Sequence, residues 1–319
     1  MELKNKQNPA VRNYGFGSRD PKKAVLNACK SFYDSHVSAH EMAQRFIRFI
    51  EWLELSEGRL TDLRDINQAH VDHYVKSLES RVDNMTMAVS TAHHYVSAIN
   101  RVFYILTGKK DCWLSVRYQT DIPNRTYVAT TRVSMQSLPS LSESMNPVDI
   151  MIHLQYWIGL RFEESAKINA PQAHAEALSR RVVSITDGTK GGRRRVIPIT
   201  EADQITVLRA AAEVQGGHYS LIPASKTYAE FRRESYAQYR HVLFHSYRHE
   251  YAYRRYKALI GVDCPVVADV SHGCAHIRFL ARELSISDGE AKQRDMAVRQ
   301  IVAEELGHGR VDITNNYLG

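Results

Sequence analysis

Apolar residues recur at helical spacing through much of this 319-residue chain. In "AHEMAQRFIRFIEWLEL", large apolar side chains follow one another at intervals of three and four residues, which places them on one face of a helix. The same period returns in residues 66–78 and 92–106. Because such stripes are buried against one another, the pattern predicts one helical domain over residues 21–107.

A different pattern interrupts the helical period in the second half of the chain. Val182–Thr186 and Arg195–Ile199 are rich in β-branched residues and flank Asp-Gly and Gly-Gly pairs, which predicts an antiparallel hairpin. Helical spacing surrounds this hairpin on both sides. We therefore expect a mainly α fold with a small antiparallel β-sheet, in which residues 141–319 form an α+β domain.

The segments outside these two domains have a different composition. Residues 1–20 are rich in Lys, Asn and Gly and are interpreted as a mobile basic arm. Residues 108–140 lose the helical period and gain Thr, Ser and Pro, which is typical of a linker.

Charge and cysteine content narrow the class of protein. The formal net charge is +7, which favours a polyanionic partner such as nucleic acid, although a merely basic protein would have the same balance. Four scattered cysteines give no disulfide framework and suit a reducing cytoplasm. We expect no secretory signal, because the N-terminal residues 1–20 are polar and basic without an apolar core. We also expect no membrane span, because the chain has no apolar stretch of roughly 18 residues.

The second half also contains side chains suited to attack on a phosphodiester without a metal. That reaction needs guanidinium groups for the non-bridging oxygens, a nucleophile, and an acid for the leaving oxygen. Taken singly, each candidate is as readily explained as a solvated or structural residue, so only the ordered set is informative. The candidate catalytic residues are Arg161, Lys190, His245, Arg248, His308 and Tyr317.

Five segments in order carry a family resemblance. "GLRFEESAKI", "TKGGRRRVIPI", "HSYRHEYAYRRY", "LGHGR" and "ITNNYLG" resemble the successive active-site motifs of the tyrosine recombinase (phage integrase) family. The similarity covers about residues 145–319, and Tyr317 follows His308 by nine residues, as is usual in that family. Residues 21–107 resemble the family's N-terminal core-binding domain, more by pattern than by motif.

The resemblance implies a role for each candidate. Tyr317 would attack a DNA phosphate and form a 3′-phosphotyrosyl bond, while Arg161 and Arg248 would hold the non-bridging oxygens. Lys190 would protonate the departing 5′ oxygen. His308 would hydrogen-bond the phosphate, and His245 would assist proton transfer at the tyrosine or orient the scissile group.

The implied function is site-specific DNA recombination, by breakage and rejoining like that of type IB topoisomerases. The family works on double-stranded DNA without metal or cofactor, as a tetramer on paired sites and often with a directionality factor. We therefore expect a cytoplasmic, nucleoid-associated bacterial protein. The alternatives are a catalytically inactive DNA-binding relative and, from another class, a metal-dependent hydrolase.

Two features depart from the family pattern. The interval between the His-x-x-Arg and Leu-Gly-His motifs is about twice the usual one, so residues 261–287 are interpreted as an insertion. Only two residues follow Tyr317, whereas many relatives continue with a helix that docks on a neighbouring protomer. We expect another element, the arm or the insertion, to make that contact. The alternative is exchange of the helix that carries Tyr317.

Two further groups of residues invite a binding function. The insertion holds Cys264, His272, Cys274 and His276, but their spacing fits no usual zinc pattern, so we expect no metal there. Paired basic residues are the candidates for contacts with DNA phosphates, although each would equally suit a solvated surface. These residues are Lys22, Lys23, Arg180, Arg181, Arg193, Arg194, Arg195, Arg232, Arg233, Arg254 and Arg255.

Overall fold

The computed structural model describes residues 7–110, 113–125, 127–141 and 146–319. These residues form two compact units, Met1–Thr126 and Tyr127–Gly319, whose boundary lies within the segment interpreted as a linker. None of the helices in the described ranges is long and apolar enough to cross a membrane.

The first unit is helical. Asp20, Ser35 and Asn67 cap its first three helices by accepting a backbone N–H, as short polar residues do at helix starts. The aromatic side chains of Phe46 and Phe103 pack edge to face, 5.2 Å between ring centroids, in its core. The helices are α1 (Pro21–Phe32), α2 (His36–Glu57), α3 (Gln68–Asp83), α4 (Val89–Thr107) and α5 (Val116–Gln119).

The described part of the N-terminal segment packs on this unit. Asn13 is fully buried, and its backbone N–H donates to the Asp62 carboxylate at 2.9 Å. Its side-chain oxygen accepts from the N–H of Leu63 at 2.8 Å. Asn13 thus ties the described part of this segment to the 62–63 loop. Residues 1–6 lie outside the described ranges.

The second unit is a helical domain with one hairpin. Strands β1 (Val182–Ile185) and β2 (Arg195–Pro198) pair antiparallel, with Val183 opposite Ile197 on the buried face. This confirms the mainly α fold with a small antiparallel sheet. The helices are α6 (Pro147–Ile158), α7 (Phe162–Lys167), α8 (Ala170–Arg180), α9 (Ala202–Gln215), α10 (Tyr228–Gln238), α11 (Phe244–Ile260), α12 (Pro265–Ala268), α13 (Cys274–Leu284), α14 (Asp288–Glu305) and α15 (Asn315–Leu318).

Helix α11 and the three helices that pack against it bring the polar motifs together. Helix α11 packs against α6, α14 and α15, so its inner face is surrounded by the ends of those elements. Gly159 ends α6 with φ +69°, and a side chain there would collide with the ring of Tyr251 on α11. The close approach of these helices sets the chain direction at Arg161, the N-cap of α7.

The interpreted insertion is part of the same core. It contains α12 and α13, and the buried ring of His276 lies 3.0 Å from the Tyr256 hydroxyl on α11. Cys264 is buried, whereas Cys274 is exposed. Within the described ranges, no group of three or more His, Cys, Asp or Glu side chains is arranged to hold a metal ion.

Candidate active site

One face of α11 presents three polar side chains. His245, Arg248 and His249 are three and four residues apart, so they lie on the same side of the helix. Arg248 has no exposed surface and His249 is 9% exposed, whereas His245 keeps an exposed edge. The site therefore reaches from the core of the second unit to its surface.

Arg248 is held by three acceptors from different parts of the chain. Its Nε donates to the hydroxyl of Tyr317 at 3.3 Å, and its terminal nitrogens donate to the carbonyls of Gly159 and Leu306. A guanidinium has five N–H groups, so two take no part in these three bonds. Burial lowers the pKa of Arg248 to about 10, which leaves the group charged at neutral pH.

Arg161 lies beside Arg248. Its Nη2 donates to the same Leu306 carbonyl at 3.1 Å, so one oxygen holds both guanidinium groups. Its backbone N–H and Nη1 each donate to Glu164 at 2.7 Å, closing the first turn of α7. The Arg161 side chain keeps 24% of its surface exposed. Two cations thus lie together at the edge of the site.

The negative charge of the Glu164 carboxylate neutralises part of this positive charge. Its carboxylate is buried and accepts two hydrogen bonds from Arg195, at 2.8 and 2.7 Å, in addition to those from Arg161. Burial alone would raise the pKa of Glu164, but these bonds and the nearby guanidinium charges lower it to about 2. The arginines are therefore positioned by a permanent anion.

Tyr317 lies on α15 with its hydroxyl facing α11. The side chain is 5% exposed, and its oxygen is 3.0 Å from Nε2 of His245 as well as 3.3 Å from Arg248. When the proton of the neutral His245 ring is on Nδ1, Nε2 accepts the phenolic hydrogen. The hydroxyl thus has a cation on one side and a proton acceptor on the other.

His308 completes the cluster from the loop after α14. Its ring centroid is 5.1 Å from that of Tyr317, and its buried Nδ1 has no partner among the described residues. Burial, followed by the charges of neighbouring groups, lowers the pKa of His308 to about 3 and those of His245 and His249 to about 4. All three rings are neutral at pH 7.

Lys190 lies apart from these contacts. It is exposed at the turn Lys190–Gly192, where Gly191 and Gly192 have φ +69°. Within the described ranges no hydrogen bond joins its side chain to Tyr317, Arg161 or Arg248. The turn nevertheless lies near the site. Arg193 directly follows the turn, and its guanidinium is so close to Gly309, the residue after His308, that a side chain at Gly309 would collide with it.

The paired basic residues fall into three groups: one is buried, some form ion pairs, and the others are exposed. Arg195 corrects the sequence interpretation: it is 8% exposed and bound to Glu164 and to the carbonyl of Glu305, because the strand period turns it inward. Arg254 and Arg255 form ion pairs with Glu201 and Glu305, and Lys22 and Arg180 with Glu54 and Glu176. The side chains of Lys23, Arg181, Arg193, Arg194, Arg232 and Arg233 are exposed.

Two residues of the cluster were not among the sequence candidates. Glu164 is three residues after Arg161, but its bonds to Arg195 join segments that are 31 residues apart. His249 follows Arg248 directly, yet its ring lies 4.4 Å from that of Tyr317. A position close to a motif arginine was the one signal available for either residue.

Comparison with known proteins gives a family and a fold. Residues 120–254 match the family model described as Integrase, and no curated protein matches the chain. The fold resembles XerH site-specific recombinase bound to difH DNA, at 12% identity and TM-score 0.50, over 93% of this chain and 81% of that one. It also resembles the Tn1549 transposon integrase bound to circular-intermediate DNA, at 12% identity and TM-score 0.51, over 95% and 96%. Residues 120–254 are thus similar to the integrase family, and the chain shares the fold of these two recombinases.

Proposed function

We propose that this protein is a site-specific DNA recombinase that cleaves and rejoins strands through Tyr317. The observation that carries the proposal is the environment of the phenol. Its oxygen lies 3.3 Å from the buried Arg248 guanidinium and 3.0 Å from a neutral His245 nitrogen. A cation that stabilises phenolate and a base that accepts its proton are what a tyrosine nucleophile requires.

The first chemical step follows from these groups. The Tyr317 oxygen attacks phosphorus while its proton passes to Nε2 of His245. The bond from phosphorus to the 5′ oxygen breaks, and the tyrosine is left joined to the 3′ phosphate. The free N–H groups of Arg161 and Arg248 would hold the non-bridging oxygens, whose charge grows in the transition state.

The remaining residues act on the leaving group and the phosphate. Lys190, on its glycine-flanked turn, would donate a proton to the departing 5′ oxygen once DNA brings the turn inward. Nδ1 of His308, which is buried without a partner among the described residues, would hydrogen-bond a phosphate oxygen. Attack by a 5′-OH from another strand then reverses the step, since the phosphotyrosyl bond retains the energy of the broken one.

By analogy with the DNA-bound relatives, the partner of this chain would be double-stranded DNA. Strand exchange between two sites requires several active sites, so we infer that copies of the chain assemble on DNA as a tetramer.

The proposal is tested by trapping the covalent intermediate. A library of random-sequence duplexes with a nick would be incubated with the protein in EDTA, so that a short 5′-OH fragment diffuses away after cleavage. We expect an adduct that resists denaturation with the wild type and none with Tyr317→Phe. An adduct that persists in Tyr317→Phe would contradict the proposal. The absence of an adduct with either protein would also contradict it and would favour an inactive DNA-binding relative.

A further inference from the structure

Three imidazole rings surround the phenol of Tyr317, and His249 is the nearest. Its ring centroid lies 4.4 Å from that of Tyr317, with 30° between the planes. The corresponding distances are 5.1 Å for His308 and 5.6 Å for His245. A tilted contact at this distance is at the close end of the range at which aromatic rings pack favourably.

The same ring also contacts the proton acceptor of the tyrosine. His249 and His245 lie 5.1 Å apart with their planes at 89°, an edge-to-face contact one helical turn along α11. His249 therefore contacts both partners of the 3.0 Å hydrogen bond between Tyr317 and His245. Its other neighbour, Tyr253, lies one further turn along, at 6.1 Å.

Nδ1 of His249 is buried and makes no hydrogen bond within the part of the chain that the structure describes. A buried nitrogen without a hydrogen-bond partner destabilises the folded state. The contacts of this side chain are thus those of its ring faces and edges.

We propose that His249 is a positioning residue for strand cleavage, whose ring holds Tyr317 and His245 in the orientation that their hydrogen bond requires. This rests on the proposed function of Tyr317. His249 itself transfers no proton and touches no phosphate. Loss of the ring would let the phenol rotate, and small misplacements of a nucleophile cost up to about 100-fold in rate.

Three variants test the inference in single-turnover cleavage of a nicked duplex selected from the library. His249→Ala removes the ring, whereas His249→Phe keeps it and removes the unpartnered nitrogen. His153→Ala is the matched control, because His153 is also buried with an unpartnered Nδ1 among the described residues but lies on α6. The rate at saturating DNA, the DNA concentration for half-saturation and the melting temperature are measured for each.

We expect His249→Ala to lower the saturating rate about 10- to 100-fold without changing half-saturation more than about 2-fold. His249→Phe should restore the rate to within about 3-fold of the wild type and melt no lower. His153→Ala should lower the melting temperature but not the rate.

Three results would overturn the inference. These are an unchanged rate in His249→Ala, equal losses in the Ala and Phe variants, or an equal loss in His153→Ala. If the wild type forms no adduct, the proposed function fails first. If the wild type forms the adduct and His249→Ala cleaves at the wild-type rate, only this inference fails.

Discussion

At the scale of single residues, a buried anion organises the cations of the site. Glu164 binds Arg161 and Arg195 directly, and its carboxylate lies 3.7 Å from Arg248. The three guanidinium groups come from segments far apart in sequence, and like charges repel unless a counter-charge lies between them. We interpret Glu164 as the residue that allows these three guanidinium groups to lie close together in the absence of DNA.

Glu164→Gln should therefore be strongly destabilising. It removes the anion and leaves buried guanidinium groups without compensation, which typically costs about 3–5 kcal/mol. Glu163→Gln is the matched control, because Glu163 is half-exposed and its ion pair with Lys167 should contribute less than about 1 kcal/mol. The free energy of unfolding in urea measures both, and equal losses would show that Glu164 has no special role.

The pH dependence of this difference gives a second check. The folded pKa of Glu164, about 2, lies below its ordinary value of 4.5, so its contribution is complete above pH 4.5. It is lost as the pH falls from 4.5 towards 2, because the carboxyl is then protonated and resembles an amide. The stability gap between wild type and Glu164→Gln should shrink over that range. A gap that stays constant would contradict the assignment.

At the scale of elements, the short helix α15 is fastened to α14 by Arg299. This side chain donates to Asn315 at 2.9 Å and to the backbone oxygen of Gly319 at 2.8 Å, while Asp295 holds it in place at 2.8 Å. In addition, the Ala129 N–H donates to the carbonyl of Asn315 at 2.8 Å. A helix of four residues is too short to be stable by itself, so these tertiary hydrogen bonds determine where Tyr317 lies.

Arg299→Gln should free this element. Hydrogen bonds to charged groups contribute about 1.5–3 kcal/mol, so amide exchange of residues 311–319 should rise at least about 10-fold. The covalent adduct should form more slowly as well. Arg294→Gln is the control, since Arg294 lies on the same helix but pairs with Glu290 at the surface. Exchange that is equal in both variants would refute the role of Arg299.

The sequence predicted the elements better than it predicted their contacts. Helical and strand periods located the hairpin and the helix with His245 and Arg248, since these patterns are local. Arg195 was misinterpreted because a basic run hides the alternation of β2, in which Val196 faces out and Ile197 faces in. The partners of Glu164 and His249 depend on chain segments that meet only after folding.

At the scale of the whole molecule, some cationic side chains are bonded within the fold and others are exposed at the surface. The guanidinium groups of Arg161 and Arg195 are bonded to Glu164, whereas Arg193 and Arg194 are exposed on the hairpin. Exposed cations release counterions when they meet DNA phosphates. We therefore expect the hairpin tip to contact DNA phosphates.

Salt titration of DNA binding should separate these groups. The affinity of the wild type should fall steeply with salt, and Arg193→Gln and Arg194→Gln should each reduce the slope by about one. Arg209→Gln removes the same charge from an exposed position outside the predicted contacts and should leave the slope unchanged. A wild-type affinity that is insensitive to salt, or equal slopes in all variants, would contradict phosphate binding by the hairpin.

We propose that the phenolic oxygen of Tyr317 forms the covalent bond to DNA. Peptide mapping of the adduct tests this proposal most directly. The denatured adduct would be treated with nuclease and trypsin, which cuts after Arg310 and releases the peptide 311–319, whose one tyrosine is Tyr317. We predict that the nucleotide remnant is found on this peptide, at Tyr317. A remnant on any other peptide would contradict the account.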